Sequence, residues 1–173
     1  MAILLILGPS GAGKSCFGSW LASAQGWLHY EIDRHPYNGI DLNGLRSEWD
    51  IFLRDTDAQP LAAIFRQRLQ SASKIHAVLT FPSNLILLPG HMQAAAQAGM
   101  QAIYLYGSEV NCIAAFLNRE GQKGLTREHW MANNRSLYLE ISKPEYYPYK
   151  REVFTENGDR KPHGEVFATL GMT

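Results

Sequence analysis

The sequence is poor in cysteine, and the two cysteines that it has are far apart. Cys16 and Cys112 form no CxxC pair and belong to no Cys/His cluster. This pattern argues against a structural zinc site, which needs several such ligands at short spacing. It also favours a reducing, cytoplasmic setting.

The sequence also lacks an excess of charge and long apolar runs. Lys+Arg and Asp+Glu each total 16, so no basic surplus is available to bind a nucleic-acid backbone. No window is long and apolar enough to cross a bilayer. The apolar run at residues 2–7 is too short for a signal peptide and has no basic residues before it. We therefore expect one domain over residues 1–173, with no nucleic-acid or membrane partner, and leave its oligomeric state open.

What the sequence does contain is a regular alternation of apolar strands and amphipathic helices. The patterns predict strands at residues 2–7, 27–32, 75–81, 101–106 and 152–155, and helices at 14–25, 43–54, 60–73, 90–98, 109–119, 127–139 and after residue 162. Such alternation is typical of an α/β fold, here a five-stranded parallel sheet flanked by helices. Ligands of these sheets bind beyond the carboxyl ends of the strands.

Residues 8–15, with the sequence GPSGAGKS, match the phosphate-binding pattern G-x-x-x-x-G-K-[ST]. Gly11 and Gly13 let the backbone turn so that N–H groups face phosphate oxygens. Lys14 would contact the terminal phosphates and the Ser15 hydroxyl would coordinate Mg²⁺. A chance glycine-rich turn is the alternative, but the segment lies between an apolar strand and a helix, as the motif requires. The predicted nucleotide-binding residues are Gly8, Ser10, Gly11, Ala12, Gly13, Lys14, Ser15 and Cys16.

The opening of the chain resembles the shikimate kinase/gluconate kinase group of small P-loop kinases. The resemblance covers the strand, loop, helix and strand of residues 1–35 and continues more loosely to about residue 155. No N-K-x-D guanine-binding motif is present, which argues against a translational-type GTPase. The resemblance implies a three-layer P-loop NTPase fold, ATP and Mg²⁺ as cofactors, and a small-molecule acceptor. It also implies a substrate cap at about 34–73 and a lid at about 119–136.

Two acidic residues lie at the end of the second predicted strand. Glu31 and Asp33 are two residues apart and so share a face of the strand. Shikimate kinases carry D-x-D at this distance, which implies that Glu31 lies near Mg²⁺ and that Asp33 accepts a proton from the acceptor hydroxyl. The plainer alternatives are a solvated Glu31 and a turn-capping Asp33. His35, in a stretch similar to the D-x-x-H-P of gluconate kinases but one residue shorter, is either a substrate contact or a solvated loop residue.

Several cations are candidates for binding phosphate or substrate. Arg119 and Arg127 flank loop 120–126, which resembles the lid of the small kinases, where one arginine lies on adenine and the other reaches the phosphates. Helix-end and surface charges are the alternatives. Arg54 could hold an acidic substrate group, although its spacing from Arg46 and Asp50 equally fits a surface ion-pair stripe.

The sequence departs from shikimate kinases where those enzymes contact substrate. Lys143-Pro-Glu-Tyr146 stands where they have R-x-P-x-Y, and a lysine binds a carboxylate with less orientation than an arginine. The third strand ends in Thr80-Phe81, without an acidic residue. Two hypotheses follow: an ATP-dependent kinase for an unknown hydroxyl or phosphate acceptor, or a catalytically weak or inactive nucleotide-binding regulatory protein. ATP and GTP are not distinguished.

Overall fold

A computed structural model describes residues 1–32, 45–80 and 83–172 of the chain. The strands are β1 (Ala2–Leu7), β2 (Leu28–Glu31), β3 (His76–Thr80), β4 (Met100–Tyr106) and β5 (Lys150–Glu152). The helices are α1 (Lys14–Gln25), α2 (Leu45–Asp55), α3 (Gln59–Ser71), α4 (Pro89–Gln97), α5 (Glu109–Glu120), α6 (Arg127–Ile141) and α7 (His163–Ala168). Short 3₁₀ segments lie at Ser83–Leu87, Gly121–Lys123 and Pro144–Tyr149. None of the described helices is long and apolar enough to span a membrane.

All five strands are parallel and lie in the order β2-β3-β1-β4-β5. β1 is the central strand, paired to β3 on one side and β4 on the other. Its apolar run is continuous because both of its faces are covered by helices. The predicted α/β fold, with a five-stranded parallel sheet between helical layers, is confirmed.

Two apolar clusters cover the two faces of the sheet. One joins Leu5 of β1 to Phe52 of α2 and Phe65 of α3. The other joins Ile6 of β1 to Phe17 of α1 and residues of α5. Full burial of such side chains stabilises the fold by about 1.5–3 kcal/mol each. These layers hold the carboxyl ends of the strands at one edge of the sheet, where the phosphate-binding loop follows β1.

The last strand differs from its predicted position. β5 covers Lys150–Glu152, whereas the β-branched and aromatic run predicted residues 152–155. Val153 still donates to the Tyr106 carbonyl, but Phe154 leaves the sheet and forms an isolated antiparallel bridge with Arg160 around the turn between them. Turn formation therefore ends the strand sooner than its side-chain composition suggests. The 3₁₀ segment Ser83–Leu87 was not predicted either.

Candidate nucleotide-binding site

The phosphate-binding loop, residues 8–15, packs so closely against its neighbours that two of its glycines have no room for a side chain. Gly8 and Gly11 have φ angles of 142° and 90°, which L side chains rarely adopt. A Cβ on Gly8 would also collide with the Leu105 carbonyl oxygen, and one on Gly11 with that of Cys112. The loop is thus seated on the end of β4 and the first turn of α5.

The N-terminus of α1 faces this loop without a side-chain cap. Gly13 is its N-cap residue, with φ 86°, and the first turn of the helix contains no acidic residue. Backbone N–H groups at such a terminus carry a partial positive charge and bind anions. Lys14 adds a full positive charge beside the loop. Its Nζ is held there because it donates to the carbonyl oxygens of Gly8 at 2.8 Å and Pro9 at 3.0 Å. The loop and its lysine therefore form a site suited to phosphate.

Ser15 and Glu31 meet beside the loop. The Ser15 hydroxyl donates to Oε1 of Glu31, which the parallel pairing of β2 with β3 places opposite Thr80. Both side chains offer the hard oxygen atoms that Mg²⁺ prefers. Within the described ranges, no group of three or more His, Cys, Asp or Glu residues could hold a metal ion. A Mg²⁺ ion at Ser15 and Glu31 would consequently need phosphate oxygens and water as further ligands.

A cavity of about 330 Å³ opens over these groups. Its volume is in the usual range for small-molecule sites. Its lining consists of Ser10, Gly11, Gly13, Lys14, Ser15, Cys16, Glu31, Ile32, Thr80, Arg119 and Glu120. The structure therefore brings most of the predicted nucleotide-binding residues together with Arg119 and Glu31. Cys16, the residue after the motif, is exposed at the cavity.

Three residues that sequence analysis did not assign to the site hold the loop from outside. The indole Nε1 of Trp130 donates to the Ser10 carbonyl at 2.8 Å, and Oδ1 of Asn134 accepts from the Ser10 N–H at 2.7 Å. The next two carbonyls, those of Gly11 and Ala12, both accept from the guanidinium of Arg160. Together with the two Lys14 bonds, every carbonyl of residues 8–12 accepts a hydrogen bond from a side chain.

This arrangement explains how α6 is attached to the site. Trp130 and Asn134 lie one turn apart on the same face of α6, and Asn134 also donates to the Trp130 carbonyl at 3.0 Å. Both side chains are buried, at 0% and 4% exposure. The middle of α6 is thus packed and hydrogen-bonded to the loop, whereas its first residue, Arg127, is exposed. The i, i+4 spacing of Trp130 and Asn134 can be seen in the sequence. No local sequence pattern, however, predicts that these two side chains bond to Ser10.

The other predicted cations lie in different surroundings. Arg119 lines the cavity and its Nε forms a 2.6 Å ion pair with Glu120. Arg54 pairs with Asp55 at 2.7 Å, and Lys143 pairs with Glu140 at 2.7 Å. Neither Arg54 nor Lys143 lines the cavity, and Arg46 forms the expected surface ion pair with Asp50 at 3.2 Å. Asp33 and His35 lie outside the described residues, and the roles of all these residues remain predictions.

A polar pair joins the end of β3 to β2. Thr80 is 1% exposed, and its Oγ1 lies 2.9 Å from Nε2 of His29 on β2. Burial lowers the pKa of His29, and the nearby Glu31 carboxylate opposes this shift. The His29 ring also fills the space beside Gly18 of α1 that a Cβ would occupy. The strand therefore presents a neutral hydroxyl, and not a carboxylate, to the cavity.

Comparisons with known proteins bear on the fold. No protein-family model matches the chain, and no curated protein sequence matches it. A solved gluconokinase from Sinorhizobium meliloti 1021 is similar at a TM-score of 0.51 and 20% identity, over 97% of this chain and 88% of that one. A solved shikimate kinase from Acinetobacter baumannii has a TM-score of 0.48 and 18% identity, over 98% of this chain and 91% of that one. A solved deoxyadenosine kinase from M. mycoides has a TM-score of 0.48 and 14% identity, over 98% of this chain and 97% of that one. The chain thus has the fold of small P-loop kinases.

Proposed function

We propose that this P-loop kinase fold serves an ATP-dependent transfer of the γ-phosphoryl group to a hydroxyl or phosphate of a small-molecule acceptor. The observation that carries the proposal is one cavity that combines the phosphate-binding loop, Lys14 and the Ser15–Glu31 pair. Phosphoryl transfer depends mainly on positioning and charge stabilisation, and these groups supply both. The fold shared with a gluconokinase structure supports the same kind of chemistry.

The loop performs the first part of this function by binding phosphates. Because Trp130 and Arg160 hold the carbonyls of residues 10–12, the backbone orientation of the loop is set before a ligand arrives. Lys14 exchanges its two carbonyl partners for phosphate oxygens, which offer a full negative charge. The Ser15 and Glu31 oxygens would hold Mg²⁺, which would neutralise part of the charge on the phosphates.

The remaining roles in the proposal rest on sequence and on the position of one arginine. Arg119 already lies at the cavity, where it can contact the nucleotide after leaving Glu120. Arg127 supplies a second charge to the transferring group. Asp33, two residues after Glu31 along the chain, positions the acceptor and takes up its proton. His35, Arg54 and Lys143 are the proposed substrate contacts, and the acceptor is identified only by its reacting hydroxyl or phosphate.

A second candidate is a nucleotide-binding regulatory protein that retains the kinase fold. The specific observation in its favour is Thr80, a buried hydroxyl bonded to His29 where an acidic residue would help to hold the metal. If Glu31 cannot compensate, nucleotide binds but turnover is weak or absent. This candidate predicts high nucleotide affinity with no acceptor-dependent release of ADP.

The deciding experiment measures Mg²⁺-dependent ADP release by the purified protein. Sugar acids, polyols, nucleosides and nucleoside monophosphates are supplied in turn, with Lys14→Ala as the blank. Stimulation by one class of acceptor, absent in the blank, supports the kinase and identifies its substrate chemistry. Nucleotide binding in calorimetry without stimulation by any acceptor supports the regulatory candidate, and no nucleotide binding at all rejects both.

A further inference from the structure

A second cavity, of about 520 Å³, lies at the outer edge of β4. We call it the edge cavity, and its lining includes Met92, Ala95, Ala96, Arg151, Leu170 and Met172. It lies beside the first half of β4, whereas the phosphate-binding loop is at the opposite ends of the strands. Six residue steps separate Met100 from Tyr106, which is about 20 Å along a strand.

The edge cavity exists because β5 is too short to cover β4. β5 pairs only with Tyr104–Tyr106, and no other strand of the described residues covers the outer edge of Met100–Ile103. The Tyr106 carbonyl points to this outer edge, since it accepts from Val153. Backbone groups repeat their direction every second residue along a strand, so the N–H and C=O of Ala102 point to the same edge. The edge cavity therefore has a backbone donor and acceptor in an apolar wall.

Arg151 is the one charged residue among those that line the edge cavity. Its Nη1 donates to the carbonyls of Pro148 at 2.8 Å and Lys150 at 2.7 Å, which orients the guanidinium. Its Nε is buried and has no hydrogen-bond partner, and Arg151 forms no ion pair within the described part of the chain. Arg151 lines the edge cavity, and a guanidinium pairs best with a carboxylate.

We propose that the edge cavity binds a small apolar carboxylate, with the carboxylate on Arg151 and the apolar body between α4 and the Leu170 and Met172 side chains. The cavity volume is that of a typical small-molecule site, and an apolar lining with few polar groups is typical of such sites. The apolar walls exclude a highly charged ligand such as a nucleotide, and the single cation matches a single negative charge. This site is separate from the one proposed for ATP.

Calorimetry and thermal shift with octanoate and 4-phenylbutyrate test the proposal, and octanamide and 4-phenylbutyramide serve as uncharged controls of matched shape. Saturable binding of a carboxylate, at least tenfold tighter than its amide, is expected. Methyl NMR signals of Met92, Ala95 and Ala96 should shift on binding, while those of Ala12 near the phosphate loop should not. Equal binding of acid and amide, or no binding of either acid, would overturn the proposal.

Variants locate the binding and separate it from the nucleotide site. Arg151→Gln should weaken carboxylate binding about tenfold or more, whereas Lys150→Gln, one residue earlier on β5, should leave it unchanged. Ala96→Phe should reduce binding by filling the edge cavity, and it keeps Arg151 intact if Arg151→Gln fails to fold. Lys14→Ala should bind the carboxylate as the unmodified protein does, so this result does not depend on the proposed kinase function. Unchanged affinity in both Arg151→Gln and Ala96→Phe would show that the carboxylate binds elsewhere.

Discussion

The guanidinium of Arg160 donates from Nη1 to the carbonyl oxygen of Ala12 at 3.1 Å, although 148 residues separate them in the chain. The same guanidinium donates from Nη2 to the Gly11 carbonyl and lies 4.8 Å from the centre of the Phe154 ring. Its Nη1 is also 2.5 Å from the position that a Cβ on Gly13 would take. Arg160 therefore positions two peptide groups of the phosphate-binding loop without itself belonging to the motif.

Arg160→Gln should weaken nucleotide binding by about tenfold, since hydrogen bonds from a charged donor contribute about 1.5–3 kcal/mol each and exposure reduces this. Arg160→Lys should give an intermediate result, because a lysine cannot hold both carbonyls with a planar fork. Calorimetry with ADP measures the effect. Arg135→Gln, which changes an exposed arginine on α6, is the control, and equal affinity in all variants would contradict the positioning role.

Trp130→Phe should lower the free energy of unfolding by about 1–3 kcal/mol, because it leaves the Ser10 carbonyl without its indole donor and trims a fully buried side chain. Nucleotide affinity should fall as well, because the loop loses one of its supports. Urea unfolding and calorimetry measure the two effects. Trp27→Phe is the control, since Trp27 is also buried but its indole makes no hydrogen bond to the described residues. A loss of affinity equal in both variants would indicate general destabilisation.

Ser15→Ala should abolish most of the difference in ATP affinity between Mg²⁺ and EDTA, because the predicted metal ligand is removed while Lys14 and the loop remain. Glu31→Gln should reduce the same difference to a smaller extent if it holds Mg²⁺ through water. Binding titrations with and without Mg²⁺ give this comparison. Ser19→Ala, at an exposed position of α1, is the matched control. A Mg²⁺ effect that survives Ser15→Ala would remove this residue from the metal site.

Asp33→Asn should reduce acceptor-dependent turnover by about a hundredfold or more, in line with the usual contribution of a general base, and should leave ATP affinity nearly unchanged. Asp50→Asn, which changes an exposed carboxylate paired with Arg46, is the control for a general charge effect. Steady-state kinetics with the acceptor identified in the panel measure the change. Turnover equal to that of the unmodified protein would exclude the proposed role.

His29 should make the fold less stable in acid. Burial lowers its pKa from the ordinary value of 6.5, the Glu31 carboxylate only partly opposes this, and the folded state therefore binds its proton less readily than the unfolded state. The contribution of neutral His29 to the free energy of unfolding is complete above the pKa of His29 in the unfolded state. It is lost as pH falls towards the pKa of His29 in the folded state. Urea unfolding at pH 8 and pH 5 should show that the free energy of unfolding falls less between these pH values in His29→Gln than in the unmodified protein. His76 and His163, whose pKa values burial also lowers, should leave a residual loss.

Much of the fold could be predicted because its signals are local. The apolar run of β1, the glycines of the loop and the amphipathic stripe of α1 are each contiguous in the sequence. The end of the chain was predicted less well, since β5 ends where Phe154 pairs with Arg160 across a turn. Strand propensity favoured residues 152–155, but pairing with β4 and the turn decided the outcome.

The candidate site divides in the same way. Sequence alone determined the phosphate-binding motif of residues 8–15 and the prediction made from it, because the necessary glycines, Lys14 and Ser15 are contiguous in the chain. Only tertiary structure decided which side chains orient that backbone, since Trp130, Asn134 and Arg160 lie 120 to 149 residues away from their partners. It also decided that the edge of β4 stays open beside Arg151, because strand pairing is a contact between distant segments and leaves no periodic signal in either one.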